Sequence, residues 1–259
     1  MLMCGRYVSP DDAAIEREFN LVHAEWKFPT NYNVAPTQQV PVIRYLDGAR
    51  QGITLRWGLV PFFAKGEPPK YSTINARVET VETAASFRGP WKRGQRCLQL
   101  ATAFYEWHLD NQGRKVPYYI RLNDQSIFAF AALWDRSMKT DGTAIESVVH
   151  ITMPANELMK DIHNTGSNPH RMPAILHPED QEAWLNGTDE DARAVLRQYS
   201  AEHMVAYEVS TRVNSPKNND ESLITPVGRL AESTDEGLPY TRNHADDQVI
   251  CQMRQGERK

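Results

Sequence analysis

Residues 97–108, CLQLATAFYEWH, decide how the middle of this chain folds. Their apolar and aromatic content is typical of a buried β-strand. Alternation along the strand gives one face to Leu98, Leu100 and Phe104, and Glu106 falls on that same face. A carboxylate on an apolar face is costly unless it has a partner. Glu106 therefore either forms a structural pair with an arginine or has a raised pKa suited to proton transfer, and the sequence leaves both open.

Strand-like runs continue on both sides of this stretch. β-branched and aromatic residues predict strands at residues 40–44, 52–60, 116–122, 126–136, 146–153 and 206–211. Turn-forming residues at 110–113 and 123–124 predict hairpin connections. The middle of the chain is therefore mostly sheet.

Helical signals lie towards the two ends. Ser9 and Pro10, followed by two aspartates, predict a helix with a hydroxyl cap and a proline at its first position. Further helices are predicted at 178–185 and 189–199. Because strands and helices do not alternate regularly, the pattern predicts an α+β fold.

The length of 259 residues allows one large domain or two small ones. The chain shows no repeat and no internal linker, so we predict one domain over residues 4–227, followed by a polar tail, flexible or loosely docked, over 228–259. The longest apolar run, 127–134, has eight residues, whereas a membrane-spanning helix needs roughly 20. We therefore predict a cytoplasmic protein with no membrane contact.

Charge and cysteine content narrow the chemistry. The net charge of −4 argues mildly against nucleic-acid binding, but the first 100 residues carry a net +4 and allow a basic face. Cys4, Cys97 and Cys251 cannot all pair and lack metal-ligand spacing. We predict no disulfide, no metal and no cofactor.

The segment around Cys4 is the first of several with chemical potential. A free cysteine is usually a small buried hydrophobe. Here Gly5 allows close approach of a ligand, and the Arg6 guanidinium could lower the thiol pKa or hold an anion. A cysteine with a free α-amine could also close a thiazolidine ring on an aldehyde.

Other segments carry residues that could bind DNA or move protons. They contain Asn33, Trp57, Phe62 and Phe63, then Asn75 and Arg77, and finally His163, His170 and Arg171. Aromatic rings can stack on bases, although each ring alone is more often part of a core. An imidazole beside a guanidinium suits acid–base chemistry next to a phosphate.

These segments occur in one order: CGRY, YNVAPTQ, RWGLVP, INARVET, FYEW and IH followed by RMPAIL. Together they resemble the SRAP family, the SOS response-associated peptidases understood as abasic-site processing proteins. The likeness runs from Cys4 to about Val227. It implies a single domain around a strongly curved, barrel-like, mainly antiparallel sheet, with a groove for single-stranded DNA.

The resemblance also implies a reaction and roles for individual residues. The amine and thiol of an N-terminal Cys4 would form a thiazolidine crosslink with the ring-opened aldehyde of an abasic site, which shields the lesion. Asn75 would position the terminal residue, and Glu106 would shuttle protons at the amine. His163 would assist opening of the deoxyribose or reversal of the crosslink.

The implied DNA contacts are made by arginines that hold phosphates, namely Arg6, Arg77 and Arg171. Asn33, Trp57, Phe62 and Phe63 complete the predicted DNA-binding set. The predicted partner is single-stranded DNA containing an abasic site, bound by a monomer.

Two features of this sequence differ from the family pattern. Residues 1–3 precede the cysteine, so we predict that translation starts at Met3 or that the leader is removed. A longer segment separates His163 from Arg171. We prefer His163 as the family histidine because it keeps the Ile-His context, but His170 lies beside the arginine, so the sequence leaves the choice open.

Two other functions use the same residues. Cys4 could attack a peptide or amide carbonyl, with Glu106 or His163 as base, in an N-terminal-nucleophile hydrolase or self-processing peptidase. Alternatively, the protein could be a passive binder of single-stranded DNA in which Cys4 is incidental.

Overall fold

The computed structural model describes residues 4–19, 21 and 26–227. Its strands are β1 (Arg6–Ser9), β2 (Asn31–Val34), β3 (Gln39–Leu46), β4 (Ala49–Trp57), β5 (Asn75–Arg77), β6 (Arg96–Ala101), β7 (Ala103–Leu109), β8 (Lys115–Leu122), β9 (Phe128–Met138), β10 (Ala144–Pro154), β11 (Arg171–Pro173), β12 (Ile175–Leu176) and β13 (Met204–Glu208). The helices are α1 (Asp12–Phe19), α2 (Arg88–Lys92), α3 (Glu157–Ile162), α4 (Gln181–Asn186) and α5 (Asp189–Ala194). Single 3₁₀ turns occur at Phe62–Ala64, Pro178–Asp180, Ala201–His203, Thr211–Asn214 and Glu221–Ile224.

A closed barrel forms the centre of the fold. Its strands follow the order β10, β4, β3, β6 and β9, and β9 pairs with β10 to close the ring. All of these pairs are antiparallel except that of β4 with β10. Aromatic and aliphatic side chains such as Trp57, Leu98, Phe128 and Phe130 fill the core without exposed surface. The predicted α+β fold with a curved, mainly antiparallel barrel is confirmed.

A second sheet packs on the barrel and carries the N-terminal segment. It has five antiparallel strands in the order β13, β8, β7, β1 and β2. Tyr7 of β1 is buried edge-on against Trp57 and Phe130 of the barrel, with ring centroids 5.3 and 5.9 Å away. Such aromatic pairs add stability beyond the area that they bury.

The stretch 97–108 joins the two sheets. We predicted one strand here, but the structure has two: β6 belongs to the barrel and β7 to the second sheet. The break is at Thr102, whose backbone nitrogen donates to Val8 of β1 at 2.9 Å. Phe104, beyond the break, still belongs to the same core as Leu98 and Leu100.

Three local predictions are wrong. The first helix begins at Asp12 and is capped by the Asp11 side chain, which accepts from Ala14, because Ser9 is paired in β1. Residues 123–124 join strands of two different sheets instead of forming a hairpin. The helix predicted at 189–199 ends at Ala194.

Peripheral strands extend the barrel towards the functional residues. β5 runs parallel to one edge of β10, and β11 runs antiparallel along its other edge, so that Thr152 faces both Arg77 and Pro173. α3 follows β10, and the Asn156 side chain caps it by accepting from Met159. The end of β10 therefore lies between two short strands that carry arginines.

The ends of the chain lie outside the described residues. This applies to the predicted leader, 1–3, and to the predicted tail, 228–259, so both stay predictions together with the domain boundary. Within the described ranges, no helix is long and apolar enough to cross a membrane.

A titratable histidine lies in the barrel core. His150 of β10 is 1% exposed and packs against Trp57 and Phe130. Among the described residues, neither of its ring nitrogens has a hydrogen-bond partner. Burial lowers the pKa of His150 to about 3. The ring is therefore neutral in the folded protein across the physiological range.

His150→Leu should make the protein less sensitive to acid. The unfolded chain protonates His150 near its ordinary pKa of about 6.5, whereas the folded protein resists protonation, so stability falls as the pH drops from there towards 3. The slope from this one group approaches about 1.4 kcal/mol per pH unit. Denaturant unfolding of both proteins between about pH 4 and pH 7 measures the effect. Parallel pH profiles would contradict the prediction.

Candidate functional site

Strand pairing brings Cys4 to Glu106. β1 pairs antiparallel with β7, and Arg6 lies opposite Tyr105, so Cys4, two residues before β1, lies beside the part of β7 that carries Glu106. The Cys4 backbone nitrogen donates to Glu106 Oε1 at 2.5 Å. The two residues are only 3% and 2% exposed. A buried carboxylate thus touches the nitrogen that becomes an α-amine when Cys4 is the first residue.

The environment of Glu106 favours its protonated form. Burial raises the pKa of Glu106, while the charge of His163 and hydrogen bonds with Cys4 lower it by smaller amounts. The sequence left open whether Glu106 forms a structural pair with an arginine or has a raised pKa, and the structure favours the raised pKa. A carboxyl group with a raised pKa is suited to give and take protons near neutral pH.

The Cys4 thiol is also held in its neutral form. Burial raises the pKa of Cys4 well above its ordinary value, and the nearby Glu106 raises it further, while Arg171 lowers it. The backbone of Cys4 is left-handed, with φ of 43°, which is unfavourable for a residue with a side chain. At neutral pH this site therefore holds a thiol rather than a thiolate.

His163 and His170 differ in burial: His163 is buried, whereas His170 is exposed. His163 follows α3, is 5% exposed, and its Nδ1 accepts from the Arg171 backbone nitrogen at 3.2 Å. In the neutral ring the proton is therefore on Nε2. His170 is exposed, and its Nδ1 bonds the Lys160 carbonyl at 2.9 Å. The geometry supports His163 in the role that the sequence left open between the two.

Arg77 and Arg171 lie on either side of the end of β10. Arg171 forms a two-pronged ion pair with Glu79 and donates to the Thr152 carbonyl at 2.9 Å. Arg77 is exposed, and its Nη2 donates to Asn168 in the segment between His163 and Arg171. The two predicted phosphate-binding arginines are thus close to the same strand end and already have polar partners.

Asn75 begins β5, the strand that carries Arg77. It is half-buried and lies opposite His150 of β10 in the strand register. Its predicted role in positioning Cys4 stays a prediction.

Arg6 and Asn33 hold a turn in place. Arg6 Nη1 donates to Asn33 Oδ1 and to the Val213 carbonyl, both at 2.8 Å. The Asn33 amide donates to the carbonyls of Val213, Ser215 and Asn218. Asn33 is 1% exposed and fully engaged, so the prediction that its side chain binds DNA is wrong. Arg6 is half-buried, and its contact with DNA stays a prediction.

The three predicted aromatic contacts have different environments. Trp57 has no exposed surface, and its Nε1 donates to the Ile74 carbonyl at 3.0 Å, so the prediction that it contacts DNA is wrong. Phe62 and Phe63 are 55% and 49% exposed on one 3₁₀ turn. The Arg93 guanidinium lies over the Phe62 ring at 5.0 Å. These two rings are accessible to a nucleic-acid base.

Two polar partners in the site were not predicted from the sequence. Glu79 lies two positions after Arg77 in the same motif, but its pairing with Arg171 joins residues 92 positions apart. Asn168 lies in the segment whose extra length the sequence did reveal. Within the described ranges, no group of three or more His, Cys, Asp or Glu side chains is arranged to hold a metal ion.

Comparisons with known proteins follow the same segments. A family model described as SOS response associated peptidase (SRAP) matches residues 3–216. The abasic site processing protein YoqW of Bacillus subtilis (strain 168) is 41% identical over 230 residues, which cover 86% of this chain and 99% of the relative. The abasic site processing protein HMCES of Gallus gallus is 28% identical, over 87% of this chain and 78% of the relative.

A solved structure supports the fold independently. The crystal structure of a protein from Bacteroides thetaiotaomicron superposes with a TM-score of 0.77 at 28% identity. The match covers 87% of this chain and all of the other.

Glu106→Gln should lower the pKa of the Cys4 thiol. The charge of Glu106 and its hydrogen bond with the thiol both raise that pKa, so the thiolate should appear at lower pH once the charge is removed. Ultraviolet absorbance of the thiolate during a pH titration, corrected with Cys4→Ser, measures the change. Glu18→Gln, at an exposed glutamate of α1, is the control and should leave the titration unchanged. An unchanged or higher thiol pKa in Glu106→Gln would contradict the prediction.

Proposed function

Because this chain belongs to the SOS response associated peptidase (SRAP) family, we propose that it processes abasic sites in DNA by forming a covalent thiazolidine crosslink through Cys4. The name of its relatives, abasic site processing protein, supports the substrate. The observation that carries the proposal is the contact between the Cys4 nitrogen and the buried carboxyl of Glu106. The thiol, the nitrogen and a proton carrier thus meet at one point.

The reaction requires Cys4 to be the first residue, so residues 1–3 are absent from the active protein in this proposal. The neutral α-amine attacks the aldehyde carbon of the ring-opened sugar and gives a carbinolamine. Protonated Glu106 donates to the hydroxyl, which leaves as water, and the resulting iminium nitrogen returns a proton to Glu106 to give a neutral Schiff base. The thiol then adds to the imine carbon, and its proton ends on the nitrogen. The net change is loss of one water.

The resting protonation states suit this order of events. An α-amine has an ordinary pKa of about 7.7–8.0, so part of it is neutral at physiological pH. The raised pKa of the Cys4 thiol keeps the sulfur from reacting first as a thiolate. In the proposal Asn75 positions Cys4, and His163, with its proton on Nε2, assists ring opening of the deoxyribose or reversal of the adduct.

The proposed DNA path connects three arginines with the exposed rings of Phe62 and Phe63. Arg77, Arg171 and Arg6 hold phosphates beside the lesion, and Phe62 and Phe63 stack on bases further along the strand. We propose single-stranded DNA as the substrate and a monomer as the active unit. The same substrate assigns an intracellular place of action.

Self-processing is the second candidate activity, and one contact favours it. While residues 1–3 are present, the Cys4 nitrogen belongs to the peptide bond with Met3, and Glu106 can protonate it as a leaving group. The thiol attacks the Met3 carbonyl, the C–N bond breaks, and water hydrolyses the resulting thioester. This peptidase step would release the amine that crosslinking needs.

Cys4→Ala should abolish the stable adduct and keep the amine. Purified protein whose first residue is verified by intact mass is incubated with single-stranded DNA that contains one abasic site, and the products are separated on a denaturing gel. Wild type should give a heat-stable shifted band, whereas Cys4→Ala should give only a Schiff base that borohydride traps. Cys97→Ala, at a buried barrel cysteine, is the matched control and should crosslink normally. A heat-stable band from Cys4→Ala, or none from wild type, would overturn the crosslink.

Arg77→Ala should weaken DNA binding in a salt-dependent way. Loss of one phosphate contact to single-stranded DNA should lower the slope of log K against log salt by about 0.7. Fluorescence anisotropy with an undamaged oligonucleotide at several salt concentrations measures this. Arg50→Ala, at an exposed arginine of β4 that pairs with Glu182, is the control and should match wild type. Equal slopes in Arg77→Ala and wild type would exclude Arg77 as a phosphate contact.

A further inference from the structure

Glu79 is a carboxylate inside a group of basic residues. It lies just beyond β5 and receives two hydrogen bonds from the Arg171 guanidinium. These bonds lower the pKa of Glu79, and the charge of Arg77 acts in the same direction, so the carboxylate is ionised at neutral pH. An acidic group would repel the phosphates of DNA, so its presence between two predicted phosphate-binding arginines requires an explanation.

The contacts of Arg171 show what Glu79 can do there. Glu79 occupies two N–H groups of the guanidinium, and the Thr152 carbonyl accepts from a third. The Arg171 side chain is only 12% exposed, whereas that of Glu79 is 45% exposed. Glu79 thus lies on the solvent side of Arg171. A two-pronged carboxylate contact fixes the plane of a guanidinium that would otherwise sample many rotamers.

Arg171 is connected to both ends of the reactive centre. Its backbone nitrogen donates to His163 Nδ1 at 3.2 Å. Its charge also lowers the pKa of the Cys4 thiol. A shift of Arg171 would therefore act on both residues.

We propose that Glu79 is a positioning residue for crosslinking: by holding the solvent-facing side of Arg171, it fixes this residue, whose backbone nitrogen in turn holds the His163 ring. The proposal rests on the proposed function, since the step that it accelerates is capture of the abasic aldehyde. Glu79 acts through Arg171 and does not itself touch DNA. Its negative charge is retained because it orders Arg171 at the cost of some phosphate attraction.

The test compares Glu79→Gln with Glu82→Gln. Glu82, three residues after Glu79, forms the same kind of two-pronged pair with Arg193. Glu82→Gln therefore controls for the loss of such a pair. The rate of adduct formation is measured at saturating abasic single-stranded DNA, and affinity is measured with undamaged DNA. Glu79→Gln should slow adduct formation about tenfold, because a small misplacement of a positioned group is costly. Its affinity for undamaged DNA should stay within about twofold, and Glu82→Gln should match wild type in both assays.

A double-mutant cycle separates positioning from a general structural effect. If Glu79 acts through Arg171, Glu79→Gln should have no further effect in an Arg171→Ala background. Additive effects would overturn the proposal, as would equal rates in Glu79→Gln and Glu82→Gln. Glu79→Gln could instead bind DNA more tightly and with a steeper salt dependence while its maximal rate of adduct formation stays unchanged. That result would identify Glu79 as a competitor of phosphate and would also overturn the proposal. If wild type forms no adduct at all, the proposed function fails, and this inference fails with it.

Discussion

The pairing of β1 with β7 is the constraint on which the site depends. It places Cys4 beside Glu106, and the same strand pair connects the second sheet to the barrel through Tyr7 and Trp57. Because β7 follows β6 after a single residue, Thr102, the position of Glu106 is fixed by the barrel wall. A short N-terminal strand that would be marginal alone is therefore held by two layers of packing.

Burial sets the chemistry of this pair more strongly than charge does. Taking a carboxyl and a thiol out of water favours the neutral form of each, and this is the largest influence on both pKa values. The opposing charges, His163 near Glu106 and Arg171 near Cys4, come from the chain just after α3 and from β11. Arg171 and His163 are linked by the hydrogen bond that the Arg171 backbone nitrogen donates to the His163 ring. The site is therefore a buried pair held in its neutral form, on which the permanent positive charge of Arg171 acts.

Local rules predicted the parts of the site that depend on strand period. Alternation placed Glu106 on an apolar face, and the ordered motifs identified the family and its barrel. The sequence could not show which polar or aromatic motif residues are buried. Trp57 and Asn33 find their partners across the fold, at Ile74 and in the turn at 213–218, so their motifs looked like binding segments. The pairing of Glu79 with a distant arginine was invisible for the same reason.

The contact of one carboxyl with one nitrogen unites the two proposed activities. In a chain that retains its leader, the Cys4 nitrogen is an amide, and Glu106 is placed to protonate it as the peptide bond breaks. Once the leader is gone, the same nitrogen is an amine, and the same carboxyl serves proton transfer during imine formation. Both steps need an acid whose pKa is raised towards neutrality, and neither needs a thiolate at rest. A single buried carboxyl can therefore serve both reactions without rearrangement of the fold.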